Sequence, residues 1–492
     1  MSKLSILAPV YTKEQELESI QKQFLEDVEV IRLAQEEFKN AVQMLNEGIK
    51  QCKREYFAIL PPDVELLPEM TAKVVGEMDS HKNYGMVYTD YFEVLSAGEK
   101  SIRIRKRKVK RLRDYDGDWT ERFNFGPLKV YRKECVEELG GFDSKYNFAY
   151  EYDFRLRLTD KYDIGHVRSS LYNFYLAKEE VQAEESAKSK LHAPGEGKYG
   201  VFSYLFYSKD QEKEIEGAFK EMLKRRGMYL SHENQEIIYT DKEKYDKMVS
   251  IIIPVFNREN FISHAIESVL NQTFKDFELI CVDNGSTDKT KDIIRSYTQK
   301  DNRVKLIENY LNIIGYSLNL GVKAARGKYI AQLDSDDEYC PETLELMVKH
   351  LESHPKCGLA ISYYEVMDAQ GKTLEEFGII KHLEYSRNNI LRVDGAGAVR
   401  VWRKKVVDEF GGFDDKIFGD YGEDYDLVLK VSEKYDVDRV HEVLYRYRRH
   451  PDNTDVKREP ELKIRNKTLA RQMAGERRKK INQRLGKIPF LK

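Results

Sequence analysis

The sequence predicts an α/β chain of two Rossmann-like, mainly parallel sheet domains in tandem, joined by a helical linker. Three observations carry this. At 492 residues the chain is too long for one ordinary core. Its second half alternates apolar strand-like runs with amphipathic helix patterns. Four segments of that half recur, in the same order, in the first half.

The repeat sets the frame. KYIAQLDSDDEYCPETL (328–344) is matched by EYFAILPPDVELLPEM (55–70), and VRVWRKKVVDEFGGFDDK (399–416) by LKVYRKECVEELGGFDSK (128–145). VSIIIPVFNRE (249–259) is matched by LSILAPVYTKE (4–14), and HEVLYRYRRH (441–450) by RSSLYNFYLA (168–177). Asp336 and Asp63, Tyr329 and Tyr56, and Gly321 and Gly48 are each 273 positions apart, but Pro254 and Pro9 only 245. The first copy is thus about 28 residues shorter between its first strand and the helix before YFAI. The missing piece is expected around FELICVDNGSTDKT (277–290), the second strand included.

In the second copy, VSIIIPVF (249–256) reads as a buried parallel strand. Residues 260–271 place Ile262, Ala265, Ile266, Val269 and Leu270 on one helical face. FELICVDNGS (277–286) predicts a strand and turn, TDKTKDIIRSYTQK a helix, and VKLIEN a third strand. A helix to Ala325 and the strand KYIAQLD follow. Ligands gather at the carboxyl ends of such strands, where Asp283, Asn284, Asp334 and Asp336 fall. KDQEKEIEGAFKEMLKRRG (209–227) has helical spacing and a terminal glycine. The expected organisation is 1–177 for a degenerate copy, 178–247 for the linker, 248–455 for the intact copy and 456–492 for a basic tail. From Pro451 onward thirteen Lys or Arg stand against five Asp or Glu. With IPFLK at its end, this tail reads either as an interfacial anchor or as a disordered end.

Asp334-Ser335-Asp336-Asp337 directly follows an apolar strand. Three carboxylates there repel one another unless a cation shares them. A hard divalent ion, Mg2+ or Mn2+, held by one or two carboxylates and by substrate phosphates, answers that. It screens a diphosphate and stabilises the charge that builds as it leaves. The plainer alternative is an acidic turn capping the helix that begins near Pro341. Order favours the ion, because PVFNR, VDNGSTD and DSDD come at successive strand ends.

Those motifs, followed by GGFDD, GEDYDL and YRYRRH, resemble glycosyltransferase family two, of the GT-A fold, over about 248–455. The resemblance implies two GT-A domains in tandem. It implies a metal-dependent, inverting transfer of a sugar from a nucleotide-sugar donor, UDP-sugar favoured. The acceptor would be a hydroxyl of a glycan or lipid-linked molecule, in cell-surface polysaccharide or glycoconjugate synthesis. In the family, the loop after the first strand and the turn after the second embrace the nucleoside, which implicates Pro254, Phe256, Asn257, Asp283 and Asn284. Family members often carry a second acid where Asn284 stands. Its amide oxygen can still accept from uracil N3–H, but the amide also donates, which leaves the base open.

The family's D-x-D element maps onto Asp334 and Asp336, with Asp336 the direct metal ligand and Asp334 also at the nucleotide. Asp337 either orients it or caps the helix. The E-D element maps onto Glu423 and Asp424. Asp424 would take the acceptor hydroxyl's proton as that oxygen attacks, a step worth roughly a hundred- to ten-thousandfold. The alternative is that both acids merely open a helix. The Y-R-x-H ending implies Arg449 at the diphosphate and His450 at the metal or a phosphate. VDGAGAVR (393–400) falls where the family lines its acceptor side. Trp402 is expected in the core, because Tyr131 holds its place in the other copy.

In the first copy the D-x-D positions are Pro61, Pro62 and Asp63, and Tyr150-Glu151 replaces the E-D pair. A non-catalytic domain is expected, which supports its neighbour, holds acceptor or makes a homodimer contact. Two other functions compete for the whole chain. A glycan-binding or scaffolding pseudoenzyme suits the first copy only. A sugar-phosphate nucleotidyltransferase needs a glycine-rich loop after the first strand, and Pro254-Val255-Phe256-Asn257-Arg258 has none.

Net charge is −2, so no global field calls for nucleic acid or a membrane. The basic run SIRIRKRKVKRLR (101–113) is either a solvated hairpin balanced by DYDGDW or a contact for an anionic partner such as a membrane surface. Cys52, Cys135, Cys281, Cys340 and Cys357 form no C-x-x-C pair, so a reducing, cytoplasmic setting is expected, with peripheral contact at the inner face of the membrane left open. No signal peptide or transmembrane run is read in the sequence.

Overall fold

The computed structural model describes residues 3–9, 14–23, 28–33, 40–96, 107–177, 207–241, 243–419, 421–453 and 457–488. The chain forms two compact units that divide at Arg226–Gly227, inside the stretch read from sequence as a linker.

The first unit has strands β1 (Leu4–Pro9), β2 (Glu29–Leu33), β3 (Tyr56–Ile59), β4 (Val64–Leu66), β5 (Tyr84–Ser96), β6 (Arg107–Lys110), β7 (Lys129–Arg132) and β8 (Asp163–Ala177). They form one mixed sheet, ordered β2-β1-β3-β7-β5-β8-β4, with β6 beside β5. Its helices are α1 (Glu14–Gln21), α2 (Ala41–Gln51), α3 (Met70–Ser80), α4 (Lys133–Glu138), α5 (Tyr150–Leu158) and α6 (Lys209–Arg225). Every residue of β1 is buried, as an apolar run covered on both faces must be.

The second unit carries β9 (Lys247–Val255), β10 (Phe277–Asp283), β11 (Val304–Glu308), β12 (Gly327–Gln332), β13 (Glu338–Tyr339), β14 (Cys357–Met367), β15 (Ile379–Ile380), β16 (Arg400–Arg403) and β17 (Asp436–Arg448). Their order is β11-β10-β9-β12-β16-β14-β17-β13, with β15 beside β14. The helices are α7 (Ile262–Leu270), α8 (Thr290–Lys300), α9 (Ile314–Ala324), α10 (Thr343–Ser353), α11 (Lys404–Glu409), α12 (Glu423–Ser432) and α13 (Pro460–Arg484). The strand–helix alternation read from sequence builds the parallel part, β11-β10-β9-β12. Beyond it the sheet is mixed, because β16 runs antiparallel between β12 and β14. Trp402 lies fully buried on β16, edge-on to Phe413, and Tyr131 fills the same place in the first unit.

Apart from β11, the described strands of the two sheets correspond one to one, and this corrects one expectation. The first unit keeps a second strand. β2 pairs with β1 as β10 pairs with β9, with Leu33 opposite Pro9 as Val282 is opposite Pro254. The offset between copies is 245 at Pro9, 249 at Leu33 and 273 at Gly48, so 24 of the 28 missing residues follow the strand. What has no counterpart is the α8–β11 pair. Only five residues of β2 are paired and four of them are not buried, so its pattern is too weak to read as a strand.

The segment between the copies is divided between the units. Ser208 and Gln211 close a reciprocal cap on α6. Its face of Ile215, Ala218, Phe219, Met222 and Leu223 is buried in the first unit, and Glu214 accepts the Phe148 and Ala149 N–H groups ahead of α5. Residues 227–241 run along the second unit, where Leu230, Gln235 and Ile237 donate backbone N–H groups to Asn388, Lys434 and Pro355. The described part of the basic tail is neither an anchor nor a loose end. It is the 25-residue helix α13, with Asn466, Arg471, Arg478 and Asn482 buried against the second unit. Of IPFLK only Ile488 is described, and it packs on Gly227.

Residues 101–106 of the basic run lie outside the described residues. Arg107–Lys110 pair with Tyr91–Val94, and Arg113 binds Asp116 and Asp118, which is the balanced hairpin. Among the described residues no helix is long and apolar enough to cross a membrane.

The repeated glycine has a packing cause. A Cβ on Gly321 would stand 2.5 Å from Ile252, and one on Gly48 2.7 Å from Leu33, because α9 and α2 lie tight on their sheets. Gly321→Ala should cost about 1–3 kcal/mol of unfolding free energy through overpacking, despite a helix-propensity gain of about 1 kcal/mol. Urea unfolding checks this, and unchanged or higher stability would contradict the close approach.

Candidate active site

The sequence-predicted residues collect at the carboxyl edge of β9, β10 and β12. After β9, Asn257 takes a left-handed backbone (φ 50°), which asparagine tolerates. Its N–H donates to Ser286 Oγ at 3.0 Å and its Oδ1 accepts the Thr287 N–H at 2.8 Å. Asn257 therefore locks the first loop to the second-strand turn. Pro254 lies within β9 opposite Val282, and Phe256 leaves about a third of its surface exposed.

Asp283 is fully buried at the end of β10. Its Oδ2 accepts the Ser286 N–H at 3.2 Å and lies 3.7 Å from Lys291 Nζ. Its Oδ1 has no hydrogen-bond partner among the described residues. Asn284 is committed elsewhere. Its Oδ1 accepts from Ser317 Oγ at 2.5 Å and from Asn309 Nδ2 at 3.2 Å, and its N–H donates to Val255. With both lone pairs taken, that oxygen is not open to a base, and Asp283 Oδ1 is the open acceptor on this turn.

The D-x-D loop joins β12 to β13. Asp336 is buried and its Oδ2 accepts from His450 Nε2 at 2.9 Å and Arg258 Nε at 3.2 Å. Burial pushes its pKa up, but the His450 hydrogen bond and the Arg258 charge outweigh it and hold the group low. Asp334 is solvent-accessible in a crowded recess. Desolvation there, and then the Asp336 charge, push it up to about 7. Two carboxylates in conflict, with an imidazole against one of them, make a donor set that fits a divalent ion. His450 takes its orientation from stacking on Phe261 at 4.4 Å and from the Asp452 N–H, which donates to Nδ1 at 3.2 Å. That bond fixes the proton on Nε2, so ligation through Nε2 requires its loss.

Asp337 is the third acid and serves the loop itself, accepting from Tyr445 Oη at 2.8 Å and the Arg448 N–H at 2.7 Å. Arg446 is held by Glu338 and Glu365. Arg449 lies further out, with Nη1 donating to Tyr447 Oη at 3.2 Å.

Across the recess, Gly422 turns through φ 99° and starts α12 with Glu423 and Asp424. Asp424 Oδ2 pairs with Arg400 Nη2 at 2.8 Å, and Oδ1 accepts its neighbour's N–H at 2.6 Å. Glu423 is buried, and desolvation followed by the Asp424 charge drives its pKa well up. Arg400 feels Asp424, Asp394, Asp334 and Glu423. It links the two acidic clusters.

Sequence reasoning passed over Arg258 and Arg400. Arg258 binds Asp336, the Asn257 carbonyl and the Asp452 carbonyl at once. The residue was visible in PVFNR, but its partners lie up to 194 positions away. Arg400 has a visible twin in hindsight. Lys129 pairs with Glu151 at 2.6 Å in the first unit, at the places of Arg400 and Asp424. There the D-x-D place holds Asp63, whose N–H donates to Glu16 at 2.7 Å.

The family model described as "Glycosyl transferase family 2" matches residues 12–140 and 250–411, one segment in each unit. An uncharacterised glycosyltransferase of Rickettsia bellii is 27% identical over 434 residues, covering 83% of this chain and 60% of that protein. A chondroitin synthase of Escherichia coli is 30% identical over 245 residues, covering 47% of this chain and 35% of its own length. The chain thus spans 60% and 35% of these two relatives. The crystal structure of S. aureus TarS 1–349 in complex with UDP-GlcNAc aligns with a TM-score of 0.36 and 20% identity, over 43% of this chain and 61% of that one. Matched by the family model over more than half of its length, the chain belongs to glycosyl transferase family 2.

Proposed function

We propose that the second unit transfers a sugar from a nucleotide-sugar donor to a hydroxyl of a glycan or lipid-linked acceptor, in one displacement with inversion. The observation that carries this is the pair of facing acidic clusters, Asp334–Asp336 and Glu423–Asp424, with Arg400 between them. Asp334, Asp336 and His450 would hold Mg2+ or Mn2+. When bound, the ion offsets the charge on the donor diphosphate.

The chain's own groups divide the remaining work. Asp283 Oδ1, a buried acceptor, suits an imide N–H such as that of uracil, which favours a UDP-sugar. Phe256 offers an apolar face to the base. Arg449 is the cation nearest in sequence to His450 and suits a phosphate. Asp424 takes the proton from the acceptor oxygen as it attacks. Arg400, paired with that carboxylate at 2.8 Å, holds it in place before the attack. Glu423, buried beside Asp424, shapes the floor. The relative named as a chondroitin synthase supports polysaccharide synthesis as the setting. The first unit, without a D-x-D pair, serves as a non-catalytic domain.

A panel of UDP- and GDP-sugars, read by nucleotide release with Mn2+ or Mg2+, tests the reading. Asp336→Ala should abolish turnover and metal-dependent nucleotide binding, and undiminished turnover would remove the D-x-D assignment. Asp424→Asn should leave donor binding intact and lower transfer by two or more orders of magnitude. If transfer persists, the base lies elsewhere. Asp283→Ala should weaken UDP binding by about tenfold or more, the cost of one buried charged hydrogen bond. Calorimetry reads it, and an unchanged Kd would free Asp283 of that role.

A further inference from the structure

A second set of metal-type side chains gathers at the opposite edge of the second sheet. β12 and β14 both run antiparallel to β16, so β14 begins at the edge away from Asp334. Cys357 opens β14, and Asp438 lies near the start of β17, paired with Ala360. His350 sits in the last turn of α10, the helix that packs on both strands. Ligand atoms of His350, Cys357 and Asp438 all lie within 4.8 Å of one another. Atoms bound to one zinc ion at about 2.0–2.3 Å stand about 3.3–3.8 Å apart, so small side-chain shifts close the set.

His354 adjoins this group of three without belonging to it, and is the fourth donor within reach of a side-chain shift. Residues four apart share a helix face, and its ring stacks on that of His350 at 4.0 Å. Its Nδ1 is bonded to the His350 carbonyl at 2.8 Å, which fixes the ring proton there and leaves Nε2 as a lone-pair donor. The Asp438 side chain is 41% exposed and that of His350 16%, so an ion can reach them.

We propose that His350, His354, Cys357 and Asp438 form a tetrahedral zinc site, separate from the Asp334–Asp336 site, that fastens the end of α10 to β14 and β17. Two neutral imidazoles, one thiolate and one carboxylate carry two negative charges and neutralise a divalent ion. Sulfur and nitrogen in that set select Zn2+ over the hard ions Mg2+ and Mn2+. On binding, the Cys357 S–H bond breaks, an S–Zn bond forms and the proton goes to solvent. The thiol gives up its hydrogen bond to the Leu359 carbonyl, and the ion's charge has to overcome the burial that favours the protonated thiol. His350 moves its ring proton from Nε2 to Nδ1, so one proton is released per ion. The simpler alternative, a bare ion pair between His350 Nε2 and Asp438 Oδ2 at 2.9 Å, leaves Cys357 and His354 without a part.

The full chain, stripped with a chelator and held in saturating Mg2+, is titrated with Co2+ and then with Zn2+. One Co2+ should bind with a near-ultraviolet thiolate band and tetrahedral visible bands, and one Zn2+ should displace it. Cys357→Ser should lose the thiolate band. His350→Ala and Asp438→Asn, both on the accessible side, should weaken Zn2+ at least tenfold while circular dichroism stays unchanged. Asp336→Ala should change none of this. Absence of the band in the unmodified chain, its survival in Cys357→Ser or its loss in Asp336→Ala overturns the site, as does Zn2+ affinity untouched in His350→Ala.

Discussion

One buried carboxylate fixes the D-x-D side of the second unit's candidate site. Asp337 is only 1% exposed, and a carboxyl group so placed is costly unless donors satisfy it. Two do, the Tyr445 hydroxyl and the Arg448 N–H, and both belong to β17. The loop after β12 is thereby tied to the end of a strand that lies three places away in the sheet. Arg448 tightens the knot, donating Nε to the Asp336 carbonyl and pairing with Glu338. Because His450 follows β17 directly, the same knot brings it to Asp336. The acid without a role in chemistry is the one that holds the others in register.

The Glu423–Asp424 side is held from a different direction. Asn466 of α13 donates to the carbonyls of Phe418 and Tyr421, immediately before Gly422 and the Glu423-Asp424 turn. Lys467 pairs with Asp394 at 2.6 Å, and Arg471 donates to the Leu391 carbonyl. One helix thus grips both the turn that carries Asp424 and the 391–394 stretch beside it. Part of the basic charge of this region, that of Lys467, Arg471, Arg477 and Arg478, is directed at carbonyls and acids of the second unit.

Much of this was legible in the sequence. Strong periodicity gave the elements of the parallel half, and the repeat gave the tandem arrangement, because both rest on burial patterns that a sequence displays directly. Asp336 with His450, and Asp334 with Asp424 about Arg400, gather as the motif order suggested. Three things were not legible. β2 is too short and too exposed to announce itself. The commitment of Asn284 depends on Asn309 and Ser317, which only folding brings to it. The charge of the tail is a property of composition, whereas its burial depends on where α13 docks.

The Arg400–Asp424 pair has a history written into the chain. In the first unit both members differ, lysine for arginine and glutamate for aspartate, yet the ion pair stands at nearly the same length. That unit has no D-x-D pair to serve. In both units the pair ties a strand of the sheet to the first turn of a helix, β7 to α5 and β16 to α12. The contact is therefore a brace of the repeated architecture, built once with lysine and glutamate and once with arginine and aspartate.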